Sequence, residues 1–217
     1  WQGYTCSSLS KSRKWITDCL VMHPEILSLS LYMFVTSCSP GPNNVVASHS
    51  GFNHGVKKSI PLMLGVIFGF TTMLAVVNFG LINIFNIYPV IQKILIGTGT
   101  IFLIYLAYKI SFSKTSKENE NLKPVNFVET FLYQFLNPKG VIVAIIAVSN
   151  YTESGSNFIN YSIWMLSVAF IFAIISIIFW TLLGKFMRKF ATNEKFIKWF
   201  NYVMSTLLIS CIATFYY

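Results

Sequence analysis

Long uncharged runs, each closed by basic residues or turn formers, set the pattern of this chain. No Lys, Arg, Asp or Glu occurs within residues 26–56, 59–92, 94–108, 140–152, 154–184 or 199–217. Several of these runs exceed the ~20 residues that a helix needs to cross a hydrocarbon core about 30 Å thick. Hydropathy and punctuation together predict six spans, near 25–51, 59–82, 90–112, 126–150, 157–183 and 196–216. Asn83, Asn86 and Pro89 mark the turn between the second and third. Residues 113–125, which include "SKTSKENENLKP", form the predicted hydrophilic linker.

Composition agrees with that pattern. Of 217 residues, 54% are hydrophobic and only 11% charged, against roughly 25% charged in soluble domains. The formal net charge of +9 could point to nucleic acid. The bases, however, lie between apolar spans and form no stripe interleaved with aromatics, so no nucleic-acid partner is expected. Lys57 and Lys58, then Lys109, Lys114, Lys117 and Lys123, then Lys185, Arg188, Lys189, Lys195 and Lys198 all follow odd-numbered spans. The positive-inside rule places those loops in the cytoplasm and both termini outside. Trp164, Trp180, Trp199 and Tyr161 sit toward span ends, as interfacial anchors do.

Cys6, Cys19, Cys38 and Cys211 include no C-x-x-C and no Cys/His set at zinc spacing, so neither a metal nor another cofactor is expected. Cys6 and Cys19 could pair outside the membrane, whereas Cys38 and Cys211 read as apolar fillers. Met22 opens directly onto a hydrophobic run. Residues 1–21 are therefore read as an extension outside the fold, and 22–217 as one six-span domain.

Two spans carry helix breakers well inside them. The first holds Ser39-Pro40-Gly41-Pro42-Asn43-Asn44 and the fourth Asn137-Pro138-Lys139-Gly140. Proline removes the amide that bonds the carbonyl four residues back, which leaves Thr36, Cys38 and Gln134 with carbonyls in need of partners. That loss is smallest where a helix starts, because the first amides of a helix are unbonded anyway. Ser39 and Asn137 are good N-caps, which puts Pro40 and Pro138 at the first helical position and Pro42 within the first turn. Both spans are thus expected to be broken, with a second half-helix starting at each proline.

The two interruptions open two three-span halves, about 22–112 and 126–217. Three is odd, so the halves cross the membrane in opposite senses, as in an inverted repeat. Paired Pro/Gly interruptions at corresponding positions point to a midplane binding site in a transporter. Half-helix N-termini favour a carboxylate, and Lys139, an ionisable group deep in a span, favours it further. Asn43, Asn44, Gln134 and Asn137 add neutral donors and acceptors for the rest of a zwitterion. Other polar residues have simpler readings. Gly65 and Gly69 (G-x-x-x-G) suit close helix packing, Asn78, Ser167 and Ser176 interhelical hydrogen bonds, His49 and His54 an interfacial position, and Glu129 solvent.

In these residues the chain resembles the lysine exporter (LysE) and homoserine/threonine exporter (RhtB) family of bacterial amino-acid exporters. The matching stretches are "SPGPNN" (39–44), "SGFNHGVKKSIPLMLGVIFGF" (50–70), "GTIFLIYLAYK" (99–109) and "FLNPKG" (135–140). The resemblance spans Met22 to Tyr217. It implies an all-α, six-span inner-membrane exporter of threonine-, homoserine- or lysine-like amino acids, driven by proton antiport. The implied partners are the substrate, protons and the lipid bilayer, with room for a homo-oligomer. Carried over by position, the substrate site comprises Pro40, Gly41, Pro42, Asn43, Asn137, Pro138 and Lys139, to which the residue reading adds Asn44 and Gln134. Asn43 stands where many members carry aspartate, Gln134 where asparagine is usual and Ala107 where glycine is frequent, and "VETF" (128–131) replaces a stretch commonly holding Arg-Gly. Two rival readings are a membrane thiol or electron relay, which Cys38 keeps open although the fourth span lacks a cysteine, and an inactive accessory bundle. No soluble-enzyme constellation appears.

Overall fold

The computed structural model describes residues 25–81, 87, 89–112, 126–152, 157–190 and 194–213, and these are helical with no strand among them. The elements are α1 (Ile26–Cys38), α2 (Pro42–Val76), which runs on into a π-helical turn (Val77–Leu81), α3 (Pro89–Ser111), α4 (Phe127–Leu136), α5 (Pro138–Tyr151), α6 (Phe158–Arg188) and α7 (Glu194–Ala213). The predicted extension 1–21 and linker 113–125 lie outside the described residues.

α2 is two helical segments. Gly55 sits at φ 75°, ψ 171° and divides them. That φ lies in the left-handed half of the map, which L side chains avoid, and glycine is the only residue in α2 that deviates. The chain therefore turns between "GFNH" and "VKKS", at the basic loop the sequence placed after its first span. α6 and the helical stretch Pro42–Gly80 are each long and apolar enough to cross a membrane. α4 and α5 qualify together as one broken span, bent by 61° at Asn137.

Apolar side chains point outward as well as inward. Leu27 is 71% and Ile101 70% exposed, and Phe34, Phe68, Leu132, Phe179 and Ile209 are exposed as well. In water this would be a liability, but a lipid-facing surface requires it. The interior holds three apolar clusters among the described residues. Leu29 and Met33 of α1 pack with Met73, Leu74, Ala144, Ala147 and Met165. Phe52 joins Leu103, Phe200, Met204 and Leu208, with the Phe52 and Phe200 rings stacked at 4.3 Å. Ala47, Leu62 and Ile67 meet Ile177 and Trp180.

Gly65 and Gly69 bring α2 against α4. A Cβ on Gly65 would collide with Thr130 Oγ1, and one on Gly69 would come within 2.8 Å of the Phe131 carbonyl and 2.7 Å of the Gln134 side chain. The G-x-x-x-G spacing thus marks a real helix contact. It places the buried Gln134 beside α2.

Asn78 makes the expected interhelical bonds, donating to Ser162 Oγ at 2.8 Å and accepting from Thr152 Oγ1 at 3.1 Å. Ser167, expected to do the same, is exposed on α6. Its position is one that faces away from the neighbouring helices. Glu129 is exposed, and its amide donates to the N-cap Asn126.

Candidate functional site

The first interruption starts its half-helix two residues later than expected. Pro42, not Pro40, opens α2, with Gly41 as N-cap and no side-chain cap bond. Ser39 instead ends α1 as its C-cap, at φ −64°, ψ 147°. The reason is steric. A residue before proline is pushed out of the helical region, and here both Ser39 and Gly41 precede one, so the helix can start only at the second proline. Gly41, at φ −164°, ψ 171°, is extended accordingly. The fourth-span interruption follows the expected form. Asn137 caps α5, its Oδ1 3.5 Å from the Gly140 amide, and Pro138 is the first residue of the helix.

Breaking a span leaves carbonyls to satisfy, and each finds a donor. Thr36 O accepts from Ser39 Oγ at 3.0 Å, Cys38 O from Trp180 Nε1 at 3.2 Å and Gln134 O from the Asn137 amide at 3.3 Å. Ser37 O takes Asn44 Nδ2 at 2.6 Å and Ser176 Oγ at 2.7 Å. Asn44 also donates to Ser39 O at 2.9 Å and accepts from Ser176 Oγ at 3.2 Å. Asn44 and Ser176 therefore bind the end of α1 to α2 and α6.

The two interruptions meet. Lys139 Nζ donates to Ser39 Oγ at 2.8 Å, to Ser39 O at 3.2 Å and to Pro40 O at 3.2 Å. An ammonium at the C-terminal end of α1 also complements that helix's negative pole. Gly41 makes room for the lysine, since a Cβ there would lie 2.8 Å from Nζ and 3.0 Å from Cδ. On the other side, Asn43 Nδ2 donates to Gln134 Oε1 at 2.8 Å and Gln134 Nε2 to Asn43 Oδ1 at 3.1 Å. Gln134 Nε2 also reaches Thr130 O at 2.9 Å.

Between the interruptions opens a cleft of about 510 Å³, its mouth included. Gly41, Pro42, Asn43, Asn44, Asn137 and Lys139 line it, as do Thr36, Ser37, Gly140 and Ser176. Val66, Phe70, Val143, Ala173 and Ile177 supply its apolar wall. Among the described residues of that lining, Lys139 is the charged one and none is a carboxylate. Three residues proposed from sequence, the exposed Pro40 and the buried Gln134 and Pro138, are not part of that lining. Pro40 holds the break, Gln134 backs Asn43, and Pro138 lies against Gly99, where a Cβ would come within 2.5 Å of the ring. The sequence pointed to Thr36 for its carbonyl alone and did not point to Ser37. The signal available was their place in the last turn before a double X-Pro, where carbonyls lose their partners.

In α2 the first intrahelical bond runs from the Val45 amide to Gly41 O at 2.9 Å, and in α5 from the Val141 amide to Asn137 O at 3.0 Å. The amides of Asn43, Asn44 and Lys139 precede those ladders. Such a site can receive one carboxylate, hydrogen-bond a small polar group and cover an aliphatic stem. Cys38 and Cys211 are free thiols. Cys211 is more than a filler, because Sγ lies 3.3 Å from Pro40 O. No group of three or more His, Cys, Asp or Glu able to hold a metal occurs among the described residues.

Comparison with known proteins gives a consistent result. The model of the family described as LysE type translocator matches residues 34–217. The cysteine/O-acetylserine efflux protein of Salmonella typhimurium (strain LT2) is 29% identical over 201 residues, covering 90% of this chain and 100% of the relative. The protein of the same description from Escherichia coli (strain K12) is 27% identical with the same coverage. No solved structure matches the chain.

Proposed function

We propose that this chain, which belongs to the LysE type translocator family, exports small amino acids with uncharged side chains from the bacterial cytoplasm, binding them in the cleft between its two broken helices. The observation that carries this reading is Lys139, the one cation among the described residues lining the cleft, which reaches from one interruption to the other. A zwitterion would set its carboxylate against the Lys139 ammonium and the amides of Asn43 and Asn44. Its ammonium would find the side-chain oxygens of Asn43, Asn44 and Ser176. A second ammonium, as on lysine, would meet the like charge of Lys139 and no carboxylate among the described lining residues, which is costly at low dielectric. The relatives described as cysteine/O-acetylserine efflux proteins fit that preference.

In this proposal the six spans form two inverted repeats in the inner membrane, with both termini outside. One repeat rocks against the other around the cleft, and the proton gradient drives the cycle. Asn43 and Gln134 form a neutral pair, so no proton is assigned to that position. The test is efflux from cells carrying Lys139→Ala or Asn43→Ala at matched membrane abundance. Each change is expected to lower export about tenfold or more, corresponding to ~1.4 kcal/mol or more. Wild-type rates in both would remove the site assignment.

A thiol relay has one observation in its favour, since Cys38 and Cys211 both stand at the Ser39-Pro40 break. Relay chemistry requires both thiols. A Cys38→Ser/Cys211→Ser chain that exports at the unaltered rate excludes it.

A further inference from the structure

We propose that Lys139 is a latch that a substrate carboxylate opens. This rests on the export reading above and concerns what binding does to the protein. The ammonium spans the two interruptions through Ser39 Oγ, Ser39 O and Pro40 O, joining the end of α1 to the start of α5. All three acceptors are uncharged. A carboxylate in the cleft is a stronger partner for an ammonium than carbonyls or a hydroxyl.

The acceptors that Lys139 leaves behind are not stranded. Ser39 O keeps Asn44 Nδ2 at 2.9 Å, Pro40 O keeps Cys211 Sγ at 3.3 Å, and the Ser39 hydroxyl keeps Thr36 O at 3.0 Å. Departure therefore escapes the penalty that usually attends an orphaned polar group in a membrane interior. Gly41 leaves the lysine a path without a Cβ in it. With an empty cleft the latch ties the two interruptions together. With a carboxylate bound, the broken ends of α1 and α5 are released from each other and can move, while Tyr32 Oη, which donates to Val143 O at 3.1 Å, and the Ser28–Tyr151 hydroxyl pair at 2.9 Å keep the two helices joined farther along. Substrate binding and motion are thereby linked through one side chain, whose two arrangements have different partners.

Trp180 is a built-in reporter, because its Nε1 donates to Cys38 O at the end of α1. The experiment uses the full chain in lipid nanodiscs with Trp1, Trp15, Trp164 and Trp199 changed to Phe, so that emission comes from Trp180. The probes are O-acetyl-L-serine and its methyl ester, which lacks the free carboxylate. The latch predicts a saturable emission shift with the acid, none with the ester, and none with the acid on Lys139→Met. An equal shift with the ester, or with the acid on Lys139→Met, overturns it. The ester arm keeps Lys139 in place, so the test stands even where the variant folds poorly. Efflux of O-acetylserine from cells without a Lys139-dependent shift removes the latch alone. Absence of both efflux and shift removes the latch and the export reading together.

Discussion

Asn43 and Gln134 hold each other by two reciprocal hydrogen bonds, at 2.8 and 3.1 Å, between the start of α2 and the last turn of α4. Asn43 faces the cleft while Gln134 is fully buried behind it, so the pair ties a cleft residue to the helix packed on Gly69. Removing Asn43 leaves the buried Gln134 Oε1 without its donor, although Nε2 keeps Thr130 O, and removing Gln134 takes both bonds from the half-buried Asn43. Each single change to Ala is expected to destabilise the protein by about 1–2 kcal/mol. The double change should cost less than the sum of the two, the mark of a direct interaction. Reversible unfolding in mixed micelles measures this, and strict additivity would contradict the pairing.

Gly41→Ala separates the lysine from the fold. The extended backbone of Gly41 accepts alanine, but the new Cβ would press on the flexible end of Lys139. The thermal midpoint should stay within a few degrees of the unaltered chain. Efflux should fall by a factor similar to that of Lys139→Ala. A large loss of stability with little loss of efflux per folded molecule would contradict the placement of the ammonium.

At Gly69 the neighbours include backbone, which cannot yield as a side-chain tip can. Gly69→Val is expected to destabilise by about 1–3 kcal/mol through overpacking against Phe131. Folded yield from size-exclusion chromatography in detergent checks it. Gly97, with nothing within 4 Å of its Cβ position, is the control, and Gly97→Ala should be near neutral.

Trp180 donates to the carbonyl that Pro42 deprives of its helical partner. Trp180→Phe keeps the ring's bulk and removes the donor. A loss of about 1 kcal/mol is expected, with the low end set by how readily unfolded membrane segments find other partners. No change in thermal stability would mean that Cys38 O is satisfied in another way.

The elements were legible because breakers and charges are local signals. The broken spans follow from Pro40, Pro42 and Pro138, and the turn at Gly55 falls at the basic loop that ends the first span. Pro40 alone reads as a helix opener, but Pro42 also forces Gly41 out of the helical region, so α2 starts at Pro42. What could not be read was contact across long separations. The meeting of Lys139 with Ser39, Trp180 with Cys38 and Cys211 with Pro40 depends on how helices pack, and no spacing rule encodes it. Cleft residues that act through main-chain carbonyls, such as Ser37, leave no side-chain signature at all.

Export of small neutral amino acids is the function we propose for this chain. The most direct measurement expresses it in a bacterium lacking its own exporters, feeds dipeptides containing serine, threonine, cysteine or lysine, and follows free amino acids in the medium against an empty-vector control. The account predicts faster appearance of one or more of the neutral amino acids, with lysine at the control rate. Release of every amino acid at the control rate would contradict it.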